Sequence, residues 1–148
     1  MRKTLLVITG LAGTEKARLT VGMAQALQAT DQRVTILDHS ENNPMHPLAT
    51  LTITRVIHDL PGAISTALRT DNAIVLLNAA ESLHPETLYR LVYDGIDRMT
   101  SHSVDVRILA LVDDRTCDCF PHLRALLEDH ADLTLRYPFA IEEALAVL

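Results

Sequence analysis

The chain predicts an α/β fold, a three-layer sandwich around a mainly parallel sheet. Two observations carry that expectation. Short, continuous apolar runs alternate with longer stretches of helical periodicity, the pattern of strands buried on both faces with helices between them. Polar residues also recur at or just past the carboxyl ends of those runs: Gly10, Asp38, Asp59, Asn78 and Asp113. Open parallel sheets bind their ligands there.

Taken in order, residues 5–9 form the first buried strand. Residues 14–29 are helical, with Leu19, Met23 and Leu27 on one stripe, and Asp31-Gln32 turns the chain. A second strand over 33–38 ends on the carboxylate of Asp38. Two prolines and two asparagines make 41–47 a loop. Residues 50–58 are strand-like and run into Asp59-Leu60-Pro61-Gly62, followed by a short helix or turn over 63–68. Another buried strand covers 73–77. A helix over 84–99 has an apolar face of Leu88, Leu91, Val92, Ile96 and Met99, and Pro85 with Glu86 suits its first turn. Residues 104–112 form a strand ahead of Asp113-Asp114. A helix follows over 121–130, with Leu123, Leu126 and Leu127 inward. The last strand covers 133–137, and a last helix over 140–148 turns Ile141, Ala144, Leu145 and Leu148 to one side. No repeat, linker or low-complexity tract interrupts the series, so 1–148 reads as a single domain.

Composition narrows the function. At 148 residues with 48% hydrophobic and 22% charged side chains, the chain is long and apolar enough for a proper core. With no Trp and two Phe, that core must be aliphatic. A net charge of −6 argues against a nucleic-acid groove. No apolar run reaches membrane-spanning length, and Met1-Arg2-Lys3 leads into a strand rather than a signal peptide, so the expected location is cytoplasmic with no membrane partner. The only cysteines, Cys117 and Cys119, are too close in sequence for an ordinary structural disulfide.

The first strand stops at Gly10. A short loop with Gly13 and Lys16 follows, and then the helix begins, the layout of a phosphate-binding loop at a helix N-terminus. The G-x-x-x-x-G-K-[ST] pattern is damaged, however. Glu15 holds the last glycine position and Ala17 the Ser/Thr position. A phosphate cradle works because backbone N–H groups point at the anion and glycine lets the chain come close. Glu15 adds a Cβ and a carboxylate. Two like charges roughly 4 Å apart at an effective dielectric near 20 repel by about 4 kcal/mol, or about three decades of affinity. Ala17 has no hydroxyl for Mg²⁺. Little or no ATP hydrolysis is the expectation, with Glu15, Asp38 or Asp59 as an internal partner for Lys16. A plainer reading stays open beside it: Lys16 as an exposed lysine at a helix start, and Asp38 and Asp59 as turn or cap residues.

In pieces, nearly the whole chain resembles the MinD/ParA group of P-loop ATPases, which carry a deviant Walker A loop. Residues 9–16 sit where that family has S-G-K-G-G-V-G-K. Ala26-Leu27 through Arg33-Val34-Thr35-Ile36-Leu37-Asp38 resembles its second strand, and Val56-Ile57-His58-Asp59-Leu60-Pro61-Gly62 its Walker B segment, D-x-P-x-G, shortened by one residue. The stretches Asp71 to Glu81 and Arg136 to Ala144 are similar to its later strand and closing element. The resemblance implies a nucleotide site on Gly10, Gly13, Lys16, Asp38, Asp59 and Gly62, with Lys16, Asp38 and Asp59 catalytic if the chain is active. It also implies a homodimer around nucleotide, with a monomer or a dimer through another face equally open because the family's signature lysine is replaced by Leu11. Departures are equally specific. The family's signature lysine falls at Leu11, its magnesium-binding Thr at Ala17, and the second aspartate of its D-x-D pair at Ser40. Only about twenty residues separate Asp38 from Asp59, a short allowance for a βαβ connection.

The expectation is therefore a non-hydrolytic, MinD/ParA-like binding or regulatory module, a pseudo-ATPase in which ATP and Mg²⁺ stay open as ligands but are disfavoured, acting on an unidentified protein partner. One alternative is an active or weakly active ATPase. Another is a metal-handling accessory protein, because Cys117, Cys119 and His122 offer two thiolates and an imidazole to Zn²⁺ or Ni²⁺. The plain counterpart is two ordinary thiols in a loop that opens a helix.

Overall fold

Strand β1 (Lys3–Gly10) is eight residues long and buried along nearly its whole length, as its unbroken Leu-Leu-Val-Ile run requires. It lies in the middle of a six-stranded sheet of order β3-β2-β4-β1-β5-β6. The other strands are β2 (Val34–Asp38), β3 (Thr52–Arg55), β4 (Ile74–Asn78), β5 (Val104–Val112) and β6 (Leu133–Arg136). Every pairing in this sheet is parallel. The structure is a computed structural model that describes residues 3–10, 13–41, 45, 50–70, 74–81, 83–99, 103–112, 125, 128–136 and 138–148.

Alternation along the strands splits the core into two layers. Leu6, Ile8, Ile36, Leu76 and Leu109 face helix α1 (Gly13–Gln28), whose Leu19, Met23 and Leu27 pack against them with Ala144 of α4 (Ile141–Leu145). Leu5, Val7, Leu37, Val75 and Leu77 face the other way, against Ile64 and Leu68 of α2 (Leu60–Arg69) and Leu88 and Val92 of α3 (Pro85–Asp97). The result is the expected three-layer α/β sandwich, with an aliphatic core.

Three elements differ in extent from their sequence pattern. The last helix, expected over 140–148, covers only Ile141–Leu145, and Ile141 and Leu148 are exposed while Ala144 and Val147 are buried, so the expected single apolar side is not what packs on the core. The strand expected over 50–58 is only Thr52–Arg55, because it is an edge strand with one hydrogen-bonding side and largely exposed side chains. Helix α2 starts at Leu60, earlier than the short helix expected over 63–68. Asp59 is its N-cap, accepting the Gly62 N–H, and Pro61 fills its first turn, so residues that read as a turn begin the helix. The 121–130 helix falls mostly outside the described residues, of which 125 and 128–130 are helical. Helix α3 begins as its sequence suggests: the His84 side chain accepts the Glu86 N–H and Pro85 takes the first turn.

Gly10 ends β1 at φ +128, and an added Cβ would lie 2.1 Å from the Leu111 carbonyl oxygen of neighbouring β5. A backbone atom in a central strand cannot move aside as a side chain can. Gly10→Ala is therefore expected to lower the unfolding free energy by at least about 3 kcal/mol, measured by urea denaturation against wild type.

Candidate functional site

Sheet register assembles the site. Arg55 pairs with Asp38, Asp38 with Asn78, and Asn78 with Ile8, so one row crosses β3, β2, β4 and β1 near their carboxyl ends. Ile8 packs on the α1 side of the sheet, and paired residues of a parallel sheet share a face, so Asp38 and Asn78 point to that side too.

Lys16 meets this row from α1. It lies three residues before Leu19 and seven before Met23, on the stripe that faces the core. The side chain is accordingly 0% exposed. Its Nζ donates to the Ala79 carbonyl, just past β4, and lies 3.7 Å from Glu81 Oε1. One turn further along α1, Thr20 Oγ1 donates to the Lys16 carbonyl at 2.7 Å. The reading of Lys16 as an exposed lysine is thereby set aside, and the nearest carboxylate is Glu81. Glu15 pairs instead with Arg18 at 3.8 Å. Consecutive helix positions diverge by about 100° around the axis, so Glu15 and Lys16 face different surroundings.

Asp38, 1% exposed, is saturated by its neighbours. Its Oδ1 accepts from Ser40 N at 3.2 Å, Ser40 Oγ at 2.6 Å and Asn78 Nδ2 at 3.3 Å. Its Oδ2 accepts from Met45 N at 2.8 Å and pairs with Arg55 at 3.3 Å. Ser40, where the resemblance places a second aspartate, thus serves as a hydrogen-bond donor to the first.

Burial holds the Lys16 ammonium well below the usual lysine range, at about 8, although the charges of Glu81, Asp38 and Glu41 act to raise it. A displacement from 10.5 to about 8 means an unfavourable term on the order of 3 kcal/mol for the charged form. His39, next to Asp38, is also held below its ordinary value, first by burial and then by the Arg55 charge. Its Nδ1, Asn78 Oδ1 and Glu81 Oε1 are buried atoms without a hydrogen bond. Beside them a cleft of about 460 Å³ is lined by His39, Ser40, Glu41, Arg55 and Ala80, with Val56 and Leu83 at its apolar end.

The expected site residues divide into two places. Gly10, Lys16 and Asp38 converge with Asn78 on the crevice between α1 and the strand ends, and Gly13 opens α1. Asp59 and Gly62 lie beyond edge strand β3, where Asp59 caps α2 through Gly62 N at 3.2 Å and pairs with Arg98 at 3.3 Å on an exposed surface. Asp59 is not among the groups whose charge acts on Lys16. Glu81 and Arg55 had no role in the sequence reading. Both are brought in by strand pairing that no local pattern announces.

Two donor sets bear on a metal. For Mg²⁺ at a P-loop, the chain would have to supply a hydroxyl after the lysine and an available carboxylate. Residue 17 is alanine, and the lone-pair directions of Asp38 are occupied by the donors named above. The residues present do not fit that ion. Cys117, Cys119 and His122 lie outside the described residues. Among the described residues no cluster of three or more His, Cys, Asp or Glu side chains could hold a metal ion, and no helix is long and apolar enough to cross a membrane.

No family model matches the chain, and no curated protein matches it. Solved structures do. The crystal structure of APE1195 matches with a TM-score of 0.54 at 14% identity, over 97% of this chain and 91% of that one. Chloroplast FtsY from Physcomitrella patens matches with a TM-score of 0.54 at 15% identity, over 92% of this chain and 50% of FtsY. The likeness supports the α/β fold with a parallel six-stranded sheet described above. At such identity the likeness is one of backbone architecture alone.

Two measurements follow from this geometry. Asp59→Asn keeps an acceptor for Gly62 N and tolerates the left-handed backbone at φ 51, whereas Asp59→Ala loses the cap. Alanine is expected to cost about 1–2 kcal/mol in urea unfolding and asparagine only a few tenths. For Lys16, the unfolded chain retains a proton between about pH 8 and 10.5 that the folded chain has lost, so this group's contribution to stability rises with pH across that window. The stability of wild type relative to Lys16→Met is expected to increase by about 2 kcal/mol between pH 8 and pH 10, again by urea unfolding.

Proposed function

We propose that the chain is a non-hydrolytic, MinD/ParA-like binding or regulatory module that works through protein–protein contacts. The supporting observation is the internal counter-charge at Lys16. In a phosphate-binding loop that lysine answers the negative charge of the bound phosphates. Here a carboxylate of the chain itself stands 3.7 Å from it, with both groups almost wholly buried. Ala17 supplies no hydroxyl for a metal, and Asp38 is engaged with Ser40, Asn78 and Arg55. A site neutralised from within keeps the shape of a nucleotide-binding fold without the means to drive phosphoryl transfer. Such a chain acts by what it contacts. In this reading the contact is a protein partner or a second copy of the chain, in the cytoplasm, and the net charge of −6 gives nucleic acid no footing.

Phosphate release from Mg-ATP, together with isothermal titration of Mg-ATP, tests the proposal. The expected result is no phosphate release above the protein-free blank. Sustained turnover that disappears in Lys16→Ala would overturn it.

A further inference from the structure

Strand β3 ends the sheet, and β2 is its one neighbour there. A single hydrogen bond tells which of its backbone groups stay open. The Val56 N–H donates to the Asp38 carbonyl at 2.8 Å, so Val56 turns its backbone groups toward β2. Successive residues of a strand turn their N–H and C=O to opposite edges. Thr52 and Thr54 therefore also serve β2, and the N–H and C=O of Ile53 and Arg55 point off the sheet. Among the described residues no hydrogen bond reaches those outward groups.

Folded proteins usually guard an open edge with a charge, a proline or a bulge. At the opposite edge, β6 carries exposed Arg136 and follows exposed Asp132. β3 has no such guard. Its one charge, Arg55, reaches back into the crevice, to Asp38 at 3.3 Å and Ser40 Oγ at 3.4 Å. Thr52 and Thr54 are exposed and line a groove of about 440 Å³ between the sheet and α2, with Thr35 and Ala63.

We propose that β3 is a strand-addition surface whose occupant is the β3 of a second copy of this chain, paired antiparallel across a two-fold axis at Thr54. The proposal deepens the contact-based reading above by naming the surface and the partner.

Self-complementarity selects the second copy. With Thr54 opposite itself, Ile53 of each copy exchanges both backbone hydrogen bonds with Arg55 of the other, so every open group is answered. The two Thr54 residues form a non-hydrogen-bonded pair, the closer kind, in which threonine side chains attract each other. Like charges are not directly opposed: Arg55 faces Ile53, and its guanidinium is already neutralised by Asp38 of its own copy. The contact is isologous, so it closes at two copies. Pairing β3 with β6 of a further copy would instead propagate, and would meet the charges on β6. A strand this short makes a weak dimer, governed by protein concentration.

The test is sedimentation velocity across protein concentrations up to the millimolar range, with folding checked by circular dichroism. Wild type is expected to pass from monomer to dimer. Thr54→Lys opposes two ammonium groups at the axis without touching the core, and is expected to weaken the dimer at least about tenfold. Thr54→Cys, in a Cys117→Ser/Cys119→Ser background, is expected to give a disulfide-linked dimer on mild oxidation, because paired Cα atoms about 4.5 Å apart lie within disulfide reach. Glu142→Cys in the same background, on exposed α4, is expected to stay unlinked. A monomer at every concentration leaves the edge to some other chain and overturns the proposal, as does an open-ended polymer, or a dimer that Thr54→Cys fails to link. Each of those outcomes leaves the non-hydrolytic reading standing, which turnover of Mg-ATP alone would defeat.

Discussion

A lysine ammonium with no exposure to water has to be surrounded by groups that replace its hydration. Lys16 imposes that demand at the point where α1 leaves the sheet. The Ala79 carbonyl and the Glu81 carboxylate, both just past β4, answer it directly, and Asp38 adds its charge from the end of β2. The segment after β4 thus contacts this nitrogen directly, and the end of β2 acts on it through charge. Arg55 on the edge strand and Asn78 on β4 then fix Asp38, so the ends of β2, β3 and β4 are tied together through polar contacts as well as through the sheet ladder.

The arrangement separates architecture from chemistry. Parallel strands with helices on both faces place residues at the strand ends whatever those residues are, so a backbone likeness at 14–15% identity says nothing of what furnishes the crevice. In this chain the furnishing is self-directed. Glu81 stands against Lys16 and Arg55 against Asp38, and the cleft beside them joins polar His39, Ser40 and Arg55 to apolar Val56 and Leu83.

The course of the sheet also explains why Asp59 and Lys16 belong to different neighbourhoods. The strand before Asp59 is β3, at the edge, with β2 and β4 between it and β1. The segment resembling a Walker B motif therefore ends as a helix cap. The strand whose end meets Lys16 is β4, which carries Asn78, Ala79 and Glu81. Motif spacing is a statement about order along the chain, and it does not say which strand will lie beside which.

By itself the sequence determined the layering. Apolar runs too short for helices had to be buried strands, and the helical stripes between them had to cover both faces, because neither element can leave its apolar side in water. It also contained a sign that Lys16 is buried, since the spacing of Leu19, Met23 and Leu27 extends back to residue 16. Only the tertiary structure decided which acid meets that lysine. Glu15 is its neighbour in the chain, yet helix geometry turns it toward Arg18. Glu81 is remote in the chain, yet the pairing of β4 with β1 brings it in. Strand order and register are settled by the packing of the whole sheet, and a local pattern of residues carries no record of them.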